Sequence, residues 1–186
     1  MSALGGHRAS VVAEIGKAVA AVDEAQFSAA ADLIESAERI FVIGVGREGL
    51  AARAFAMRLM HLGFEVHVGW DDTTPNVRAG DVLVMVNGSG RIGHLDYVFG
   101  KVAQSGAKTL VVTGVPSANT PQSATLALWV PAAVYLGEGD LVCSIQPMGS
   151  LFEQCALIVF DLMILELAER RGLSFADLAA RHRNFE

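Results

Sequence analysis

Five short runs rich in β-branched and aromatic residues punctuate the chain, with helix-forming text between them. They are Arg39 to Gly44, Phe64 to Gly69, Asp81 to Asn87, Lys108 to Thr113 and Leu126 to Val130. Phe64 to Gly69 alternates, but the others are apolar almost throughout, the pattern of strands covered on both faces. Strands that alternate with helices give an α/β fold, a three-layer sandwich with a parallel sheet in the middle.

The text between the runs supports this reading. Arg8 to Val22 and Glu24 to Ala37 carry apolar residues at helical spacing, with Asp23 as the cap between them. A helix is predicted from about Glu48 to Leu62, where Gly63 ends it, and Gly88-Ser-Gly90 opens another that runs to about Gln104 before Gly106. Turn residues fill the stretch with Thr74-Pro75 and Ala79-Gly80, the loop with Pro116 and Pro121, and the loop from Pro131 to Pro147. Gly149 to Arg171 is apolar on most of its circumference, so this helix is expected to be buried on more than one side. Ser174 to Asp177 then reads as the cap of a short terminal helix.

No linker divides the 186 residues and no repeat recurs, so one domain is expected. It comprises N-terminal helices (1–38), a parallel α/β core (39–130) and C-terminal helices (148–186). Apolar residues make up 52% and charged residues 18%, which excludes intrinsic disorder and places part of the apolar surplus in a subunit interface. The net charge is -6 with no run of Lys or Arg, so nucleic acid and anionic membranes are not expected partners. Met1 to Ser10 lacks the apolar core of a secretory signal, and Cys155 to Leu165, interrupted by Asp161, falls short of the ~20 residues that span a bilayer. A soluble, cytoplasmic protein is expected, with Cys143 and Cys155 reduced and serving as small packing residues.

Ligands of open parallel sheets bind beyond the carboxyl ends of the strands, where the winding reverses. If the strand order is 2-1-3-4-5, that point lies between the first and third strands. The loops there are Gly44-Val-Gly46-Arg47-Glu48-Gly49 and Asn87-Gly88-Ser89-Gly90-Arg91. Each feeds a helix, so backbone N–H groups and the helix dipole can face an anion. The first loop also fits G-x-G-x-x-G, with Asp71 and Asp72 near the place of a ribose-binding acid. Against a dinucleotide site stand the two preceding helices, the second glycine loop and the short chain.

Three stretches, Ala54-Phe-Ala-Met-Arg-Leu-Met-His-Leu-Gly63, Pro147-Met148-Gly149-Ser-Leu-Phe-Glu153 and Arg181-His-Arg-Asn-Phe-Glu186, are spread over most of the chain. In content and order they resemble the 6-phospho-3-hexuloisomerase family of the sugar isomerase (SIS) domain group. The resemblance implies a flavodoxin-like five-stranded sheet and a homotetramer built from homodimers. It implies isomerisation of D-arabino-hex-3-ulose 6-phosphate to fructose 6-phosphate, with no metal or organic cofactor.

That reaction removes a proton at C2 and delivers one to C3 through a cis-enediol. Glu153, at an apolar helix start beside Leu151 and Phe152, is the candidate shuttle base, the plainer alternative being a carboxylate favoured in a helix's first turn. By resemblance, His182 moves protons between the substrate oxygens and His61 reaches a neighbouring subunit's site; the alternatives are a surface histidine and a structural one. The remaining candidate contacts to substrate are Gly46, Arg47, Glu48, Asn87, Gly88, Ser89, Gly90, Arg91, Met148 and Gly149. His67 has no assignment, His94 follows the second loop, and neither has metal-ligand spacing with a partner.

Both loops depart from the family pattern. Glu48 stands where a serine is usual in G-x-G-R-S-G, and Asn87-Gly-Ser-Gly-Arg-Ile92 stands for S-G-S-G-E-T, leaving Ser89 as the one hydroxyl. A carboxylate ~4 Å from a phosphate costs about 4 kcal/mol at an effective dielectric of 20. Two outcomes are open: Glu48 and Arg91 pair across the loops, or Glu48 accepts from sugar hydroxyls while Arg47 or Arg91 meets an anion. The alternatives to the phosphosugar reaction are isomerisation of a non-phosphorylated, sulfonated or carboxylated sugar, and non-catalytic sugar binding.

Overall fold

The computed structural model describes residues 3–135 and 141–185; the middle of the Pro131 to Pro147 loop and Glu186 lie outside them. The chain opens with helices α1 (Ala3–Ala20) and α2 (Glu24–Glu35). It continues through β1 (Ile40–Ile43), α3 (Gly46–His61), β2 (Val66–Val68), β3 (Val82–Val86), α4 (Gly93–Gln104) and β4 (Lys108–Thr113). It closes with α5 (Asn119–Ser123), β5 (Leu126–Trp129), α6 (Ser150–Arg170) and α7 (Phe175–Ala180). The sheet has five parallel strands in the order β2-β1-β3-β4-β5, with Ile40 paired to both Val66 and Val82. The winding therefore reverses between β1 and β3, the point anticipated from the sequence.

Alternation along the strands divides the core into two layers. Ile40, Val42, Val82, Val84 and Val86 pack under α2, α3 and α6, where the stacked rings of Phe55 and Phe160 join the last two helices. Phe41, Ile43, Leu83 and Met85 face the other way, against Leu95, Phe99 and Val102 of α4. α6 buries residues around most of its circumference from Leu151 to Leu167, yet Leu157, Leu162 and Leu165 stay exposed. No described helix is long and apolar enough to cross a membrane.

Local chemistry fixes the element ends. The Asp23 carboxylate accepts the Gln26 N–H at 2.8 Å to start α2, and Ser174 and Asp177 form a capping box on α7. Three expectations need correction. α4 begins at Gly93, because Gly90 (φ +66°) closes a turn onto the Asn87 carbonyl before the helix can start. The proline loop contains α5, with Pro121 in its first turn, where a missing N–H is harmless. Cys155 is buried, and burial pushes its thiol up to about 11, but Cys143 is exposed and fills no core position.

Candidate active site

Both glycine loops lie at the carboxyl ends of β1 and β3. A side chain at Gly49 would sit 2.8 Å from the Gly44 carbonyl oxygen, so these two glycines close the first loop by direct backbone contact. The G-x-G-x-x-G spacing thus has a steric cause that needs no nucleotide. Asp71, the candidate ribose acid, is instead engaged by Arg53 at 2.9 Å.

The third wall comes from α6. Met148 takes a left-handed conformation (φ 59°) and Gly149 then caps the helix. A side chain on Gly149 would crowd the Tyr135 N–H at 3.3 Å and come within 3.8 Å of Glu153 Oε1. The backbone N–H of Glu153 donates to the Gly149 carbonyl, and its carboxylate forms an ion pair with the Arg47 guanidinium across the cleft. Glu153 is mostly sheltered and Arg47 is exposed. The expected base therefore does look over the reversal point, held by a residue of the first loop.

Glu48 points back into the molecule. Its Oε2 accepts the Gly88 N–H at 3.1 Å, while the Gly88 carbonyl accepts from the Gly114 N–H and the Thr113 hydroxyl. Burial pushes the Glu48 carboxyl up to about 7; the Gly88 N–H works against the shift and the Glu153 charge adds to it. Of the two outcomes open from the sequence, the pairing of Glu48 with Arg91 does not form: the Gly88 N–H takes the carboxylate and Arg91 stays exposed. Ser89 Oγ accepts the Arg91 N–H at 3.4 Å. Asn87 is fully buried, and its Oδ1 and Nδ2 have no hydrogen-bond partner among the described residues.

The chain thus brings together Glu153, Arg47, Glu48 and Gly88, with Gly149 beside Glu153, whereas Gly90 and Arg91 line a separate cavity with Asp96, Ser117 and Asn119. It does not bring the histidines there. His61 closes the far end of α3, about 21 Å from Arg47 at 1.5 Å per residue. Its ring is buried, lies 5.2 Å from that of the exposed His182, and has Nδ1 3.2 Å from Arg58 Nη1. Both line a groove of about 490 Å³ with Asp161 and Phe175. Among the described residues no cluster of three or more His, Cys, Asp or Glu could hold a metal ion.

Trp70 went unnoticed in the sequence. Its Nε1–H donates to the Gly44 carbonyl at 2.7 Å and its half-exposed ring lies 5.9 Å from His94, so it ties the end of β2 to the first loop beside the start of α4. The available signal was the Gly69-Trp70 step where β2, paired with β1, comes to an end.

The SIS domain family matches residues 33–158, a span that holds both loops, His61 and Glu153 but not His182. A Bacillus subtilis protein named 3-hexulose-6-phosphate isomerase is 34% identical, with 96% of each chain covered. A Methanocaldococcus jannaschii protein of the same name is 37% identical over 82% of this chain and 80% of its own. A crystal structure from Methanococcus jannaschii, described as inferring a 3-hexulose-6-phosphate isomerase function, superposes with a TM-score of 0.83 at 31% identity, covering 95% of this chain and 97% of that one. Sequence relatives and fold agree along nearly the whole length, and this chain belongs to the SIS domain family.

Proposed function

We propose that this protein is a sugar-phosphate isomerase that moves a carbonyl between neighbouring carbons, as between 3-hexulose 6-phosphate and fructose 6-phosphate. The observation that carries this reading is the sheltered Glu153 carboxylate over the sheet's reversal point, oriented by Arg47. Starting from the 3-ketose, Glu153 takes the proton from C2 and the C3 carbonyl oxygen gains one, giving the cis-enediol. The same carboxyl group returns its proton to C3 while the C2 hydroxyl loses one, and the carbonyl then stands at C2. One carboxylate serves both steps because the two carbons are adjacent and the enediol is planar.

The proton moving between the oxygens requires a second group. His182 and His61 serve that role in a homodimer or homotetramer, across the boundary between subunits, since within one chain they lie too far from Glu153. Supporting an oligomer, the chain exposes 9666 Å² where a monomer of this mass exposes roughly 8,600 Å². Leu50, Met57, Leu157, Leu162 and Leu165 of α3 and α6 lie exposed. Incubation with 3-hexulose 6-phosphate is expected to yield fructose 6-phosphate. Absence of turnover by the assembled protein contradicts the reading, and sedimentation as a monomer contradicts the role of the histidines.

A further inference from the structure

A glycine loop that feeds a helix ordinarily offers its N–H groups to an anion. Here the Gly88 N–H is already donated to Glu48 from the neighbouring loop. The space is filled as well, because a methyl group at Gly88 would lie 2.6 Å from Glu48 Oε1 and 2.8 Å from the Phe152 ring. Glu48 therefore sits packed between the two loops and the start of α6. The charged groups around it are Glu153 on α6, whose charge opposes its ionisation, and Arg47 on its own helix, which is paired with Glu153.

Beside Gly88 in sequence stands a second unusual polar group, Asn87. A fully buried amide with both polar atoms unpartnered is costly in a native fold, and this one immediately precedes Gly88. Asn87 still pairs through its N–H with Val112 of the next strand, and by strand alternation its side chain lies on the α4-facing side of the sheet with Leu83 and Met85.

We infer that Glu48 sets which charge form of the ligand the second loop accepts: as a neutral acid it releases the Gly88 N–H and donates its own O–H to a phosphate oxygen, and as a carboxylate it keeps that N–H and turns the phosphate away. This deepens the isomerase reading and rests on it only for the identity of the phosphosugar. A sugar phosphate is largely dianionic above pH ~6. Each unit of its charge ~4 Å from an ionised Glu48 weakens binding roughly a thousandfold at an effective dielectric of 20, so the two are not accommodated together. Because the Glu48 carboxyl titrates at about 7 in the free protein, the neutral form is at hand near neutral pH. Above that pH, each further unit removes about nine-tenths of the competent form, and binding takes up one proton.

The test compares the wild-type protein with Glu48→Gln, a neutral isostere, and with Glu48→Ser as a second variant should the first fail to fold. KM and kcat for 3-hexulose 6-phosphate are measured from pH 7 to 9. Fructose 6-phosphate binding is followed at pH 8 by calorimetry in two buffers of different ionisation enthalpy. The wild-type KM is expected to rise about fivefold from pH 7 to 8 and about tenfold from pH 8 to 9 with kcat steady, and each binding event at pH 8 to take up close to one proton. Either variant is expected to give a flat KM, no proton uptake and about tenfold tighter binding at pH 8. A flat wild-type KM, binding without proton uptake, or no binding by any of the three proteins overturns the inference. Turnover without proton linkage leaves the isomerase standing and removes Glu48 from its role; proton-linked binding without turnover does the reverse.

Discussion

The two ends of β1 and β3 carry the same kinds of side chain in opposite conditions. At the amino ends, Arg39 meets Asp81 through two hydrogen bonds of 3.0 and 2.6 Å, and the Arg78 N–H adds a third at 2.8 Å. Burial pushes the Asp81 carboxyl up, but Arg39 and Arg78 outweigh it and hold the group below its ordinary value. At the carboxyl ends, Glu153 and Glu48 share the neighbourhood of Arg47, and only Glu153 pairs with it. Glu48 is left with a single backbone donor and is pushed up. A buried acid with every acceptor satisfied holds a fold together, whereas one left short of partners near neutrality is available for chemistry.

The sharpest break between the two ends is expected from Glu153→Gln, which should lower kcat by about a thousandfold or more while the melting temperature moves little. Asp81→Ala should do the opposite. Removing one partner of a buried pair costs about 3 kcal/mol or more, so this variant should melt roughly 6 to 12 °C lower, with kcat per folded molecule unchanged.

The pH dependence of stability should also have opposite signs. Glu48 holds its proton more tightly folded than unfolded, so the stability tied to it is full below about pH 4.5 and lost as pH rises through about 7. Glu48→Gln should therefore be more stable than the wild type at pH 8, by on the order of 3 kcal/mol in a denaturant titration, and equal to it at pH 4. Asp81 contributes stability above its ordinary value of 3.8, lost as pH falls through its lower native one, so Asp81→Asn should differ least from the wild type in acid. The smallest effect belongs to Trp70→Phe, which keeps the ring and loses the hydrogen bond to Gly44, at about 1 kcal/mol of stability.

The fold was legible because its signals are local and repeated. Lys108 to Thr113 is the strand the sequence marks, residue for residue, since the apolar and β-branched run from Thr109 to Thr113 lies between Gly106 and Gly114. α5 was hidden because Pro116 and Pro121 read as loop, although Pro121 occupies a helical turn that needs no donor. At the site, the glycines and Glu153 could be found by pattern. The partner of Glu48 could not, because the residue types leave both Arg91 and a sugar hydroxyl open, whereas the three-dimensional path of the loop presents the Gly88 N–H. The separation of His61 from Glu153 follows from the length of α3, which three motifs in sequence order do not convey.

The central claim is that Glu153 moves a proton between adjacent carbons, and hydrogen exchange at the substrate reads this directly. Fructose 6-phosphate held with the protein in deuterium oxide should lose its C3 proton to solvent, followed by proton NMR, and Glu153→Gln should suppress that loss about a thousandfold or more. Exchange at the wild-type rate in the folded variant would contradict the account.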